Sequence, residues 1–170
     1  MGFMQNYLYK KRIKNLEIRL EVFKSEPNEY YRTEKLVETK RGVPVYLIHC
    51  TYSEDEQTYS GNIHVLTSKG FDGTLSYDIE PTGQSIKICD IKHTLKNQGI
   101  GAQLLIYLDE IARESGINKV TGWLSPIDLD THRERLIHFY EKNGYQIAEG
   151  RVPNLNIDGL IATKYLYKER

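Results

Sequence analysis

The chain is 170 residues long and carries 23 Lys and Arg against 23 Asp and Glu, so its formal net charge at pH 7 is zero. That length suits a single domain over 1–170, able to bury a core without disulfides or metal. Balanced charge excludes a field that would draw the protein to nucleic acid or to an acidic membrane, and leaves a small partner. Cys50 and Cys89 lie in the apolar runs 46–52 and 86–91 and read as buried free thiols in a reducing compartment. Near the start, Lys10, Lys11, Arg12 and Lys14 form a basic flank with no apolar stretch of leader length behind it. No segment is a membrane-span candidate, and Asn6 breaks the myristoylation pattern at Gly2. The expected location is the cytoplasm.

Leu16, Ile18, Leu20 and Val22 alternate with Glu17, Arg19 and Glu21, which predicts a half-buried strand at 16–23. Residues 29–40 leave a choice open. Asn28 after Pro27 can cap a short helix, while Arg41-Gly42 before the 43–51 apolar run signals a hairpin. Two more apolar segments, 63–66 and 74–79, are separated by the turn formers Ser68-Lys69-Gly70 and Asp72-Gly73, as in a meander. Pro81 to Gly83 then breaks the chain before 85–91, where hydrophobics of both parities predict a strand covered on both faces.

From there the period changes. Ile100, Leu104, Leu105, Leu108, Ile111 and Ala112 predict a helix over 100–115, with Asp109, Glu110, Arg113 and Glu114 on the other side and Gly116 as the stop. Residues 119–124 read as a strand. Thr131-His132-Arg133-Glu134 matches a capping box opening a second helix, with Leu136, Phe139 and Tyr140 facing in and Asn143-Gly144 closing it. A terminal pair of strands follows at 145–152 and 160–167, joined by the turn-rich 153–159.

The sharpest signal is Lys96-Asn97-Gln98-Gly99-Ile100-Gly101, where a strand hands over to the start of an amphipathic helix. The first helical N–H groups have no intrahelical partner and the helix dipole adds positive potential, so an anion can take several hydrogen bonds there. A P-loop is excluded because Ala102 and Gln103 follow Gly101, and a dinucleotide fingerprint because Leu104 replaces its third small residue. Taken alone, the glycines could equally serve only to shape a tight turn.

Read together, 86–101 and Phe139-Tyr140-Glu141-Lys142-Asn143-Gly144-Tyr145 resemble the GNAT superfamily of N-acetyltransferases in order and spacing, over about residues 84–150. The resemblance implies an α/β fold with a mixed, mostly antiparallel sheet of six to seven strands and two main helices packed on it. Acceptor-side strands would occupy 1–83, a coenzyme A-binding core 84–150, and a C-terminal strand 151–170. It also implies acetyl-CoA as co-substrate, no metal, and transfer of an acetyl group to a primary amine by direct attack in a ternary complex.

On the same basis, the backbone N–H groups of Asn97, Gln98, Gly99, Ile100, Gly101 and Ala102 would wrap the pyrophosphate. Cys89, Asp90 and Ile91 would offer strand edge to the pantetheine arm, which requires that strand to splay from 120–124. Lys96 stands where the family has Arg or Gln and keeps the charge without the bidentate fork. Tyr140 matches the tyrosine that faces the thioester sulfur; a phenol with a pKa near 10 can return a proton to a thiolate of similar basicity. Two departures stand out. Arg133 replaces an asparagine that often contacts the coenzyme, and the positions where relatives place a glutamate fall at Ser85 on one strand and near Gly122 on the other. Glu80, Asp90, His93 and Asp128 are the candidate bases.

The five histidines show no ligand spacing with one another or with the cysteines, and Asp128 with Asp130 lacks the glycine of a calcium loop. Cys89 as a nucleophile would need a base beside it. Tyr30, Tyr31, Tyr46, Tyr52, Tyr59 and Tyr77 cluster in the acceptor half, where strand propensity or an aromatic acceptor wall would each account for them. The partner is a small-molecule or peptide amine: antibiotic, polyamine, amino acid, protein N-terminus and aminoacyl-tRNA all remain open, and a homodimer is compatible. Two rivals stand beside transfer: a coenzyme A-binding sensor or scaffold of the same fold, and a nucleotide-phosphate binder using the same loop.

Overall fold

The computed structural model describes residues 3–25, 30–53, 59–152 and 157–166. The chain forms two compact units, one built from 1–76 and 90–104, the other from 77–89 and 105–170.

The first unit opens with helix α1, Phe3–Ser25, where a strand was expected at 16–23. Alternation along 16–22 is not what the fold uses. Leu16 and Leu20 are buried at 0% and 4% exposure with Phe23 packed beside them, a four-then-three spacing that makes one helical face. Ile18 and Val22, the other members of the alternating set, lie in solvent at 54% and 56%. The polar positions Glu17, Arg19, Glu21 and Lys24 are good helix formers, and no Gly or Pro interrupts the span. All four residues of the basic flank are exposed on this helix.

Strands β1 (Tyr31–Glu38), β2 (Pro44–Ser53), β3 (Tyr59–Thr67) and β4 (Gly70–Ile79) follow. Over the described residues the open choice thus resolves to strand β1 and the Arg41-Gly42 hairpin; the cap expected at Pro27 and Asn28 lies outside the described residues. The apolar face of α1 closes over Ile48, Cys50 and Leu66, and Tyr31, Tyr46 and Tyr52 pack against the same cluster. That packing, with Tyr77 buried at 2%, accounts for four of the six tyrosines as core rather than as an acceptor wall.

The second unit holds the start of β5 (Ser85–His93), most of α2 (Ile100–Glu114), β6 (Lys119–Leu124), α3 (Pro126–Lys142), β7 (Gln146–Val152) and β8 (Ile157–Tyr165). Strands neighbour one another in the order β1-β2-β3-β4-β5-β6-β8-β7. Among the described residues the fold is an α/β sheet, mostly antiparallel, with eight strands and three helices, where six to seven strands and two main helices were expected. Helix α2 ends within a residue of its expected limit, because its apolar period is unbroken and Leu104, Leu105 and Leu108 are buried at no more than 1% exposure. Each such side chain contributes roughly 1.5–3 kcal/mol.

Two details differ from expectation. Strand β5 is not covered on both faces, since Lys87 and Cys89 are exposed. Helix α3 begins at Pro126, with Ser125 as N-cap accepting from the Asp128 N–H at 3.2 Å. The capping-box residues mark instead a kink at His132 (φ −141°, ψ 24°), so 126–131 forms a short helix ahead of the one that carries Tyr140.

Candidate active site

In the first unit the Lys96–Gly99 turn leads from β5 into α2. Asn97 (φ 60°) and Gly99 (φ 82°) both take left-handed backbone. At Gly99 an added Cβ would also stand 3.3 Å from Lys40 Cγ. The Gln98 carbonyl accepts the Lys40 N–H at 2.9 Å, and the Gly99 carbonyl accepts Gln103 N–H at 3.1 Å, the first helical bond. Among the described residues, the N–H groups of Asn97, Gln98, Gly99, Ile100, Gly101 and Ala102 meet no acceptor. The cradle is steadied from behind by Asp72, whose carboxylate takes the N–H groups of Thr94 and Leu95 at 3.2 and 3.3 Å and the Thr94 hydroxyl. Lys96 is exposed; Asp90 and Ile91 are half-buried, and Asp90 pairs with exposed Lys92.

In the second unit β5 and β6 run parallel, and their ladder covers Ser85↔Lys119 to Ile88↔Gly122. There it stops. Strand β6 continues to Leu124 and keeps its pairing with β8 through Trp123↔Ile161 and Leu124↔Leu160. Cys89 and Trp123 therefore stand one step past the last rung, on strand edges that face no ladder partner across that gap. Tyr140 is buried at 8%, and its hydroxyl lies 3.2 Å from the point where a Cβ on Gly122 would stand. Glycine at 122 lets the phenol approach the last rung this closely. The Tyr140 ring is wedged between Phe139 and Tyr145, edge-on to each, with centroids at 5.2 and 5.3 Å.

Cys89 is exposed rather than buried. Partial desolvation of its sulfur and the hydrogen bond its thiol donates to Asp78 Oδ2 at 3.2 Å push its pKa up to about 11, so it is a poor nucleophile at neutral pH. Of the candidate bases, Asp128 is engaged by the Ser125 cap and Asp90 by Lys92. His93 Nδ1 is buried without a hydrogen-bond partner among the described residues, and burial lowers its pKa. Glu80 accepts a hydrogen bond from the hydroxyl of buried Ser85, which brings a carboxylate to that position of β5. Arg133 is exposed on α3. No group of three or more His, Cys, Asp or Glu that could hold a metal occurs among the described residues, and none of their helices is long and apolar enough to cross a membrane. Lys40 had no signal in the sequence, Asp72 read only as a turn former and Gly122 only as a departure from the family pattern; each acts through a neighbour distant along the chain.

Residues 73–145 match the model of the acetyltransferase (GNAT) family. The match spans somewhat less than half of the chain. The match contains the cradle, the open end of the β5–β6 ladder and Tyr140. The uncharacterized protein YocC of Bacillus subtilis (strain 168) is 44% identical over 64 residues, which are 38% of this chain and 38% of that one. The chain thus spans well under two thirds of that curated relative. Among solved structures, the GNAT domain of S. lividans PAT superposes with a TM-score of 0.58 at 14% identity, over 78% of this chain and 97% of that one. An aminoglycoside 6'-N-acetyltransferase complexed with coenzyme A gives 0.52 at 18% identity, over 68% and 77%. At such identities the GNAT likeness establishes the fold.

Proposed function

We propose that the protein is an acetyl-CoA-dependent N-acetyltransferase acting on a primary amine by direct attack. The observation that carries this reading is the Tyr140 hydroxyl against Gly122 at the last β5–β6 rung, because a proton donor there stands at the mouth of an open strand pair. Six unpaired N–H groups from Asn97 to Ala102 suit a pyrophosphate, and Lys96 and Lys40 add positive charge to that loop. The unpaired edge of β5 at Cys89, continuing through Asp90 and Ile91, suits the amide groups of a pantetheine arm. Acetyl-CoA supplies the activated acyl group.

In the transfer a C–N bond forms while the C–S bond breaks. Tyr140 returns a proton to the departing thiolate, and the acceptor nitrogen gives one up. Glu80, held on Ser85, is the carboxylate we assign to that second proton. The acceptor is a small-molecule or peptide amine and the expected location the cytoplasm.

Tyr140→Phe and Glu80→Gln test the assignment. Each should lower turnover by about 10²-fold or more, as loss of a general acid or base does, with coenzyme A affinity by calorimetry within about 2-fold of the parent. Full turnover in Tyr140→Phe refutes the role of the tyrosine. Coenzyme binding with no thiol release from any amine in a broad panel refutes transfer and leaves a binding module, and tight ATP binding in place of coenzyme A would identify a nucleotide site.

A further inference from the structure

We propose that Lys164 is a positioning residue for Tyr140: it clamps the C-terminal end of α3 and so sets the phenol against Gly122. The inference rests on Tyr140 being the proton donor. Lys164 lies outside the family match, on β8, where it pairs with Val120 two positions from the Ala162↔Gly122 rung. Its Nζ donates to Asp109 Oδ2 of α2 at 2.6 Å and to the Asn143 carbonyl, the C-cap of α3, at 2.8 Å. Three elements are tied by one ammonium.

Two routes run from that ammonium to Tyr140. Through the backbone, the Asn143 and Tyr145 N–H groups both donate to the Tyr140 carbonyl, at 3.0 and 3.1 Å, so the cap that Lys164 holds is itself bonded to the tyrosine. Through side chains, Lys164 Nζ sits 5.4 Å from the centroid of the Tyr145 ring, which stands edge-on to Tyr140. The stem of Lys164 also runs against Gly144, with Cε 3.3 Å from where a Cβ there would stand.

A stabilising role does not explain the pair. Asp109 is 3% exposed and its Oδ1 has no hydrogen-bond partner among the described residues; burial raises its pKa more than Lys164 lowers it. A buried ion pair of this kind often stabilises no better than a well-packed apolar substitute, whereas it does fix geometry. The ammonium has the reach and directionality to hold the cap carbonyl, which an apolar side chain lacks.

The test joins kinetics with a probe that needs no coenzyme. In Lys164→Gln and in Asp109→Leu/Lys164→Met, kcat should fall about 10- to 100-fold while KM for acetyl-CoA holds, since small misplacements of a reacting group cost on that order. In free protein labelled with ¹³C on its tyrosine rings, the resonances that vanish in Tyr140→Phe should shift or broaden in both variants. In a Tyr140→Phe background the Lys164 substitutions should cost nothing more. Parent kcat, unmoved Tyr140 resonances, or an equal further loss in the Tyr140→Phe background overturns the inference. If Tyr140→Phe is impaired and the Lys164 variants are not, this inference alone falls; if Tyr140→Phe keeps full turnover, the role of Tyr140 falls and this one with it.

Discussion

Gly122→Ala is the smallest perturbation that reaches the proposed reaction centre. The added methyl would stand 3.2 Å from the Tyr140 hydroxyl oxygen, 3.4 Å from Cε1 and 3.5 Å from Cζ. Contacts that close require the ring to retreat by a few tenths of an ångström. The backbone at 122 is not left-handed, so alanine is conformationally acceptable there and restricts the unfolded chain by about 0.4–1 kcal/mol in favour of the fold. Lost packing around Tyr140 is of similar size, and net stability should stay within about 1 kcal/mol of the parent. Catalysis responds more steeply. If a 1 Å misplacement costs about 10²-fold, a shift of a few tenths costs roughly 4- to 10-fold, or about 0.8–1.4 kcal/mol of barrier. Steady-state thiol release reads turnover, calorimetry with coenzyme A reads binding, and thermal melting reads stability. Parent turnover in a folded Gly122→Ala protein, or an equal loss of coenzyme affinity, refutes the reasoning. So does a further loss when the substitution is added to Tyr140→Phe.

At Gly99 (φ 82°) a side chain is strained whatever the space, so Gly99→Ala should lose about 1–2 kcal/mol of stability in denaturant titration and weaken coenzyme A binding about 10-fold by calorimetry; unchanged affinity would remove the loop from the binding site. Burial first, and Arg32 second, lower the His49 pKa from 6.5 to about 4, so the unfolded chain binds the extra proton between those values and stability must fall as pH drops through that window, by up to about 3 kcal/mol. His64 and His93, also lowered by burial, act in the same direction, and His49→Gln should flatten most of the slope between pH 7 and pH 4.5 in urea melts; an unchanged slope would assign it elsewhere.

The parts of this protein that could be read in advance are those whose cause is local. The passage from β5 through Gly99 into α2 is one uninterrupted stretch, and the unpaired N–H groups at a helix start follow from helix geometry alone. The tyrosine on α3 was legible for a similar reason, because Tyr140 and the Asn143-Gly144 stop lie within one turn of each other. Helix α1 was misread because Leu16 and Leu20 satisfy a period of two and a period of four alike. Only the cluster of Ile48, Cys50 and Leu66 beneath them decides between the two, and it lies on other strands. Cys89 was misjudged for the same cause: an apolar run sets what a segment tolerates, while the cover it receives is tertiary. What holds the candidate site is of this second kind. Asp72 steadies the turn before the cradle from β4, Lys40 backs Gly99 from the first hairpin, and Lys164 grips the end of α3 from β8. None has a motif, since a lysine or an aspartate becomes a clamp only when folding brings a carbonyl or an amide within about 3 Å of it. On the proposed reading the motif residues would bind and transfer, while Asp72, Lys40 and Lys164 hold the backbone and side chains around them.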